Sequence, residues 1–193
     1  MIETLSKFDE RAFLAINDMH TSWLDPVMMW CSGNVIWLPL YAFLLYQLFK
    51  LPKARAFVAV ICIAIGITFS DQLTSTLIKP IVERPRPTWN SELSAQVHTV
   101  DGYRGGHYGF PSSHAANTFC VSVLLSLVIA RPWTRWLFVW AALVSYSRIY
   151  LGVHYPGDII TGAALGSMCG AITFLLYKAG CNGIEKMKAE KAS

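Results

Sequence analysis

The chain has 193 residues, 54% of them hydrophobic and 15% charged, with a mean hydropathy of +0.41 and a formal net charge of +4. One domain fits this length, and so little charge excludes an ordinary soluble domain. The five cysteines are dispersed without a Cys-x-x-Cys pair, which excludes a zinc ribbon or disulfide framework and leaves small buried thiols.

Residues 4–19 read as an amphipathic helix, with Leu5, Phe8, Ala12, Leu14, Ala15 and Ile16 toward one side. Glu3, Asp9, Glu10 and Asp18 deny this region the apolar core of a signal peptide, so it is predicted to lie in the membrane interface. A bilayer-crossing helix needs about 20 mostly apolar residues. Val27–Phe49 has no charge, and Ala56–Ile78 has only Asp71. Pro111–Ala130 and Ile159–Tyr177 also qualify, and Trp133–Gly152 is added because its neighbours need a return path. The predicted fold is all-α: a polytopic transmembrane helical bundle of five spans plus an N-terminal amphipathic interfacial helix. It forms one integral membrane domain over residues 1–193, with an interfacial helix at 1–22, a membrane core at 23–178 and a cytoplasmic tail at 179–193.

Five spans put nine basic residues on one side, in the loops 50–55 and 131–135 and after residue 177. Seven lie on the other, of which Lys79, Arg86 and Arg148 are set aside for a site. The positive-inside rule then places the first group in the cytoplasm, and the opposite face looks to the periplasm or exterior of a cell membrane. Basic residues that follow span ends, instead of forming a patch, argue against nucleic-acid binding.

The same topology brings four helix ends to the non-cytoplasmic face: Lys79 and Arg86 after the second span, Pro111–His114 opening the third, Arg148 closing the fourth, and His154 and Asp158 opening the fifth. Ionisable groups there are expensive in a membrane and call for a function. Three cations aimed at one point describe an anion site, since arginine matches phosphate oxygens in pairs and lysine adds a point charge. Pro111 suits a first helical turn, and the amides of Ser112, Ser113 and His114 are expected to be free donors at a positive helix end. Pro156 leaves His154 just outside a helix and Asp158 in its first turn, so the carboxylate reaches the imidazole Nδ1–H and leaves Nε2 as nucleophile. His114, from another helix, can protonate the leaving oxygen. His154 and Asp158 could also bind a metal, but three nearby cations oppose one.

These residues resemble the type 2 phosphatidic acid phosphatase family, membrane lipid phosphatases related to vanadium haloperoxidases. Its three-part signature is met in order by Lys79 to Arg86-Pro87, by Pro111-Ser112-Ser113-His114, and by Ser147-Arg148 through His154 to Asp158. The resemblance implies that His154 attacks phosphorus to form a phosphohistidine, Asp158 orients it and His114 donates the proton. It further implies that Lys79, Arg86, Ser112, Ser113 and Arg148 hold the phosphoryl oxygens, with no metal and no cofactor. Two departures stand out. Ser113 occupies a position that is commonly glycine, where its side chain is expected to crowd the pocket. Many members also have six spans, and this chain is expected to lack the first.

The expected function is hydrolysis of a membrane lipid phosphate or diphosphate, with undecaprenyl diphosphate as first choice. Phosphatidylglycerophosphate, phosphatidate and lipid A phosphates remain open, as do phosphotransfer to another lipid and non-catalytic lipid-phosphate binding or transport. The partners are the substrate and the bilayer, and the oligomeric state is open. Arg84 has no slot in the signature and reads as an interfacial anchor, and His20, His98 and His107 read as surface residues. Asp71, Ser75 and Lys79 share a helix face at four-residue steps, which suggests support of Lys79. Gly162, Gly166 and Gly170 predict close helix packing within the chain. Residues 88–110 are expected to form a flexible cap over the site.

Overall fold

The computed structural model describes residues 2–191, and these are helical with one isolated bridge between Pro85 and Tyr108. In chain order the helices are α1 (Ile2–Asn17), α2 (Asp25–Ser32), α3 (Leu38–Phe49), α4 (Lys53–Asp71), α5 (Lys79–Val82), α6 (Ser113–Ile129), α7 (Trp136–Tyr150) and α8 (Pro156–Glu190). A π-helical turn, Gln72–Ile78, joins α4 to α5 into one rod from Lys53 to Val82. Its cause lies in the sequence. Pro80 supplies no N–H to the carbonyl of Thr76 and its ring crowds that carbonyl, and a widened turn relieves the clash. The Lys79 amide accordingly reaches back five residues to the Thr74 carbonyl.

The centre of the molecule is the contact between α6 and α8. A Cβ added to Gly162, Gly166 or Gly170 would overlap the carbonyls of Ser112, Ala116 and Cys120 in turn. Both series step by four, so the glycine stripe of α8 lies along the backbone of α6. Lipid gives little hydrophobic drive for helices to associate, so this close van der Waals approach holds them. Gly66 brings α4 onto the same pair beside Cys120 and Thr173, and Ser122 ties α6 to α7 by donating to the Leu137 carbonyl at 2.9 Å. The outer faces are apolar: Phe57, Ile61, Ile65 and Phe69 of α4 and Ile172, Leu175 and Leu176 of α8 are exposed. Such faces are a liability in water and a match to hydrocarbon.

Two described helical rods, Lys53–Val82 and Pro156–Glu190, are long and apolar enough to cross a bilayer. The expected span Val27–Phe49 is not one straight helix. It breaks at Gly33 and Asn34 into α2 and α3, bent by 72°, and counts as a third crossing only if the pair is taken together. The chain turns there because Gly33 is extended and a short 3-10 turn, Val35–Trp37, intervenes before Pro39. At 17 and 15 residues, α6 and α7 fall short of the usual span length. The last helix runs thirteen residues past the expected end at Tyr177, taking in most of the proposed tail, and residues 192–193 lie outside the described region. Helix α1 docks through Phe13, which meets Tyr155 edge-on at 5.5 Å, and through Asn17, whose amide donates to the Tyr150 carbonyl at 2.8 Å. Leu5 and Phe8 of α1 face outward.

Candidate active site

Residues far apart in sequence gather where α5, α6, α7 and α8 meet. Helix α7 ends because Gly152 adopts φ +74°, and a Cβ there would also strike Val97 and the His98 carbonyl. The chain then passes His154, and α8 starts with Pro156 in its first turn. Asp158, fully buried, accepts the Tyr155 amide at 3.0 Å through Oδ2 and faces His154 Nδ1 at 3.2 Å with the same oxygen. That contact occupies Nδ1 and leaves Nε2 as the free ring nitrogen. Burial, reinforced by the charges of Arg86, Arg148 and Lys79, holds His154 well below its ordinary pKa, so it is a neutral imidazole at pH 7.

A cavity of about 720 Å³ opens beside this pair, lined at this end by His154, His114, Lys79, Arg86 and Ser113. The two imidazoles therefore share one chamber, as the topology required. Among the described residues no hydrogen bond engages the His114 ring or the Lys79 ammonium. Arg86 donates through Nε to the Tyr108 carbonyl at 3.0 Å, and its Nη1 is buried without a partner. Arg148 donates to the Ser32 hydroxyl and, at 3.0 Å, to the Tyr103 hydroxyl, while its buried Nε has no partner. Buried cationic donors left open cost free energy unless an anion meets them.

Three expectations change. The Ser112 amide is not free: it donates to the Asp158 carbonyl at 3.0 Å. Its buried hydroxyl caps α6 by accepting from the Ala115 amide, and it does not line the cavity. Ser113 lines the chamber without leaving its hydroxyl free in it. Its hydroxyl turns toward the π turn, paired with Ser75 at 2.7 Å and receiving Thr74 at 3.0 Å, which fastens α6 to the segment carrying Lys79. Residues 88–110 are not a loose cap. The Arg86 amide donates to His107 and the Gly109 amide to Arg84, Thr88 donates to the Arg104 carbonyl, and Arg104 returns a bond to Thr88. No residue of 88–110 lines the cavity. They back it, with Tyr103 on Arg148, Gly105 against Arg86, and Gly109 beside Asp158 and His154.

The largest omission from the sequence reading is Arg84. It is no interfacial anchor: Nη1 bonds Asp158 Oδ1 at 2.8 Å, Nη2 bonds Asp9 of α1 at 2.8 Å, and the guanidinium lies over the Tyr155 ring at 3.9 Å. Asp9 in turn accepts the Gly157 amide at 2.7 Å. The signal was present in Arg84-Pro85-Arg86-Pro87, because prolines keep such a run extended and put alternate residues on one side. Asp71 does not bond Lys79; its Oδ1 accepts from Ser75 and from Asn117, each at 3.4 Å. His98 pairs with Asp25 at 3.0 Å and stacks on His20, away from the chamber. No group of three or more His, Cys, Asp and Glu among the described residues is placed to hold a metal ion.

A fold with its ionisable groups gathered at helix ends and its flanks apolar is that of a membrane-embedded protein built to receive an anion. The chain belongs to the PAP2 superfamily, whose family model matches residues 53–180 and so contains the whole stretch from Lys79 to Asp158. It is 40% identical over 180 residues to the lipid A 4'-phosphatase of Bacteroides thetaiotaomicron, covering 91% of this chain and 80% of that one. It is 29% identical to the undecaprenyl-diphosphatase of Sulfolobus acidocaldarius, over 90% of this chain and 80% of that one. Among solved structures, LpxE of Aquifex aeolicus superposes with a TM-score of 0.59 at 27% identity, covering 83% of this chain and 91% of that one.

Proposed function

We propose that the protein is an integral membrane lipid phosphatase working through a phosphohistidine on His154. The observation that carries this reading is one chamber lined by two imidazoles, His154 and His114, and two cations, Lys79 and Arg86, in which the Nδ1 of a neutral His154 is already engaged by Asp158. A phosphoryl group seated there meets Arg86 and Lys79, and the nearby charge of Arg148 adds to theirs in offsetting the charge on its equatorial oxygens. His154 Nε2 forms the bond to phosphorus as the ester P–O bond breaks, and His114, protonated once the bound phosphate dianion offsets the neighbouring cations, gives its proton to the departing alkoxide. Neutral His114 then takes a proton from water, whose oxygen displaces His154 and releases inorganic phosphate. Asp158 keeps its carboxylate on Nδ1–H throughout and is itself held by Arg84.

The surrounding architecture is read as five crossings, with α6 and α7 short among longer neighbours, and with α1 in the interface on the catalytic side. The chemical end then faces the periplasm or exterior of the cytoplasmic membrane, opposite the basic loops. For the substrate, 40% identity to a lipid A 4'-phosphatase against 29% to an undecaprenyl-diphosphatase favours a phosphate monoester on a glycolipid over the polyprenyl diphosphate expected from sequence. The test is phosphate release from a panel of lipid monophosphates and diphosphates, with and without chelator. The wild-type protein should release phosphate in chelator and the folded His154→Ala variant should lose release by on the order of a thousandfold or more. Normal release from His154→Ala would remove the nucleophile, and loss of activity in chelator would replace the metal-free mechanism.

A further inference from the structure

The chamber has three zones along its length. At one end are the cationic groups of the phosphate site; at the other are Leu44, Leu48, Leu125 and Trp140, which suit hydrocarbon. Between them lies a polar band the phosphate chemistry does not use, made by Asp71 and Ser75 from the α4 rod and Asn117 and Thr118 from α6. A carboxylate at membrane depth is expensive and calls for a partner.

The bonding of this band has a direction. Ser75 and Asn117 both donate to the same carboxylate oxygen, Oδ1 of Asp71, so its Oδ2 accepts nothing from the described residues. Because Asn117 spends its amide N–H on Asp71, its Oδ1 points elsewhere, and it is buried without a partner. The Thr118 hydroxyl donates to the His114 and Ala115 carbonyls. The band therefore offers an open acceptor, Asp71 Oδ2, with Asn117 holding the other oxygen of that carboxylate, while the phosphate end offers donors. Asn117 follows His114 by three residues, about 4.5 Å of helical rise, so the two zones are about one sugar ring apart.

We infer that Asp71 and Asn117 form a hydroxyl-binding subsite that selects phosphate monoesters carried on a polyhydroxylated, sugar-type lipid headgroup and disfavours lipid diphosphates. A ring hydroxyl or amide N–H beside the phosphate ester satisfies the open Asp71 Oδ2, which Asn117 holds in place through Asp71 Oδ1. A second phosphate in that place meets the Asp71 carboxylate and is repelled. The inference rests on the phosphatase reading and deepens it.

Wild-type, Asp71→Ala, Asp71→Asn and Asn117→Ala proteins are compared on three substrates: a diacylated glucosamine phosphate, phosphatidate and a polyprenyl diphosphate. The kcat/KM ratio of sugar phosphate to phosphatidate should fall about tenfold or more in Asp71→Ala and Asn117→Ala. The ratio of diphosphate to phosphatidate should rise in Asp71→Asn. Ratios that stay at the wild-type values, or rates that fall together on all three substrates, overturn the subsite and leave Asp71 a packing residue. Failure of the wild-type protein to release phosphate from any of the three would instead strike the phosphatase reading. Equilibrium binding of the glucosamine phosphate lipid to His154→Ala, with and without Asp71→Ala, then decides the subsite by itself: tenfold weaker binding in the double variant supports it, and equal binding overturns it.

Discussion

The seam between α6 and α8 and the wall that α3 gives to the chamber are built on opposite plans. Along the seam, glycines face carbonyls, and the residues at its head are tied several times over: Asp158 is held by Tyr155, His154 and Arg84, and Ser113 by Ser75 and Thr74. The α3 wall is side chain only, with Tyr41, Leu44, Leu45 and Leu48 facing the apolar end of the cavity. Backbone contact leaves almost no freedom, so the atoms that do chemistry sit where helices touch; a wall of flexible side chains can re-pack around hydrocarbon of varied shape. The division also follows the chain, for residues 53–180 match the family model while α1, α2 and α3 lie before it. The α3 part of the chamber wall is thereby placed outside the matched stretch, while Leu125 and Trp140 of the same apolar end lie within it.

The contrast breaks most sharply at Gly166. Valine there overlaps the Ala116 backbone, and overpacking of about 1–3 kcal/mol should lower Tm in detergent and reduce folded yield. Leu45→Ala, on the half-exposed α3 wall, should shift stability by no more than about 0.5 kcal/mol. Equal losses would erase the distinction between seam and wall.

Next in size is Arg84. Removing it leaves the Asp158 carboxylate buried beside His154 without its guanidinium, and Arg84→Ala should cost about 10–100-fold in kcat with a much smaller change in KM. Arg84→Lys should recover part of the loss. A loss carried wholly by KM would mean that Arg84 meets substrate directly. Asp9→Asn acts through Arg84 at a partly exposed pair, so it should cost only a few-fold in kcat, and no change would uncouple α1 from the site.

The smallest effect is in the pH profile. Burial depresses the folded pKa of His154 below the ordinary value near 6.5. His154 therefore stays neutral as pH falls through 6.5, and, if it is the nucleophile proposed above, the acid limb of kcat/KM for this group should lie below that value. The sign for stability is the same: the contribution is full above the unfolded pKa and is lost as pH falls from there through the folded pKa, because the unfolded chain takes up a proton that the folded chain refuses. An acid limb at or above 6.5 assigned to His154 would contradict its burial.

The helical class and the convergence of His114, His154, Lys79 and Arg86 were legible because a membrane limits topology severely and the signature spacing is long and ordered. The glycine stripe was legible for a similar reason, since a four-residue repeat has few readings. What escaped was set by backbone detail and by partners remote in sequence. The 72° break at Gly33 looks apolar throughout in composition. The π turn shifts the register from which Asp71 was expected to meet Lys79. Arg84 reads as a surface cation until Asp9, 75 residues earlier, is seen to close its other side. The amide of Ser112 was counted as free because nothing local predicts that the Asp158 carbonyl takes it.

The claim on which the mechanism stands is that one imidazole becomes covalently phosphorylated. Acid-quench-free trapping of the protein during turnover, followed by peptide mass spectrometry, reads this directly. Phosphate on the peptide containing His154, stable in base, lost in acid and missing from the His154→Ala variant, is the result expected. Phosphate carried by His114 or another residue, or steady phosphate release with no labelled His154 at any time point, would contradict it.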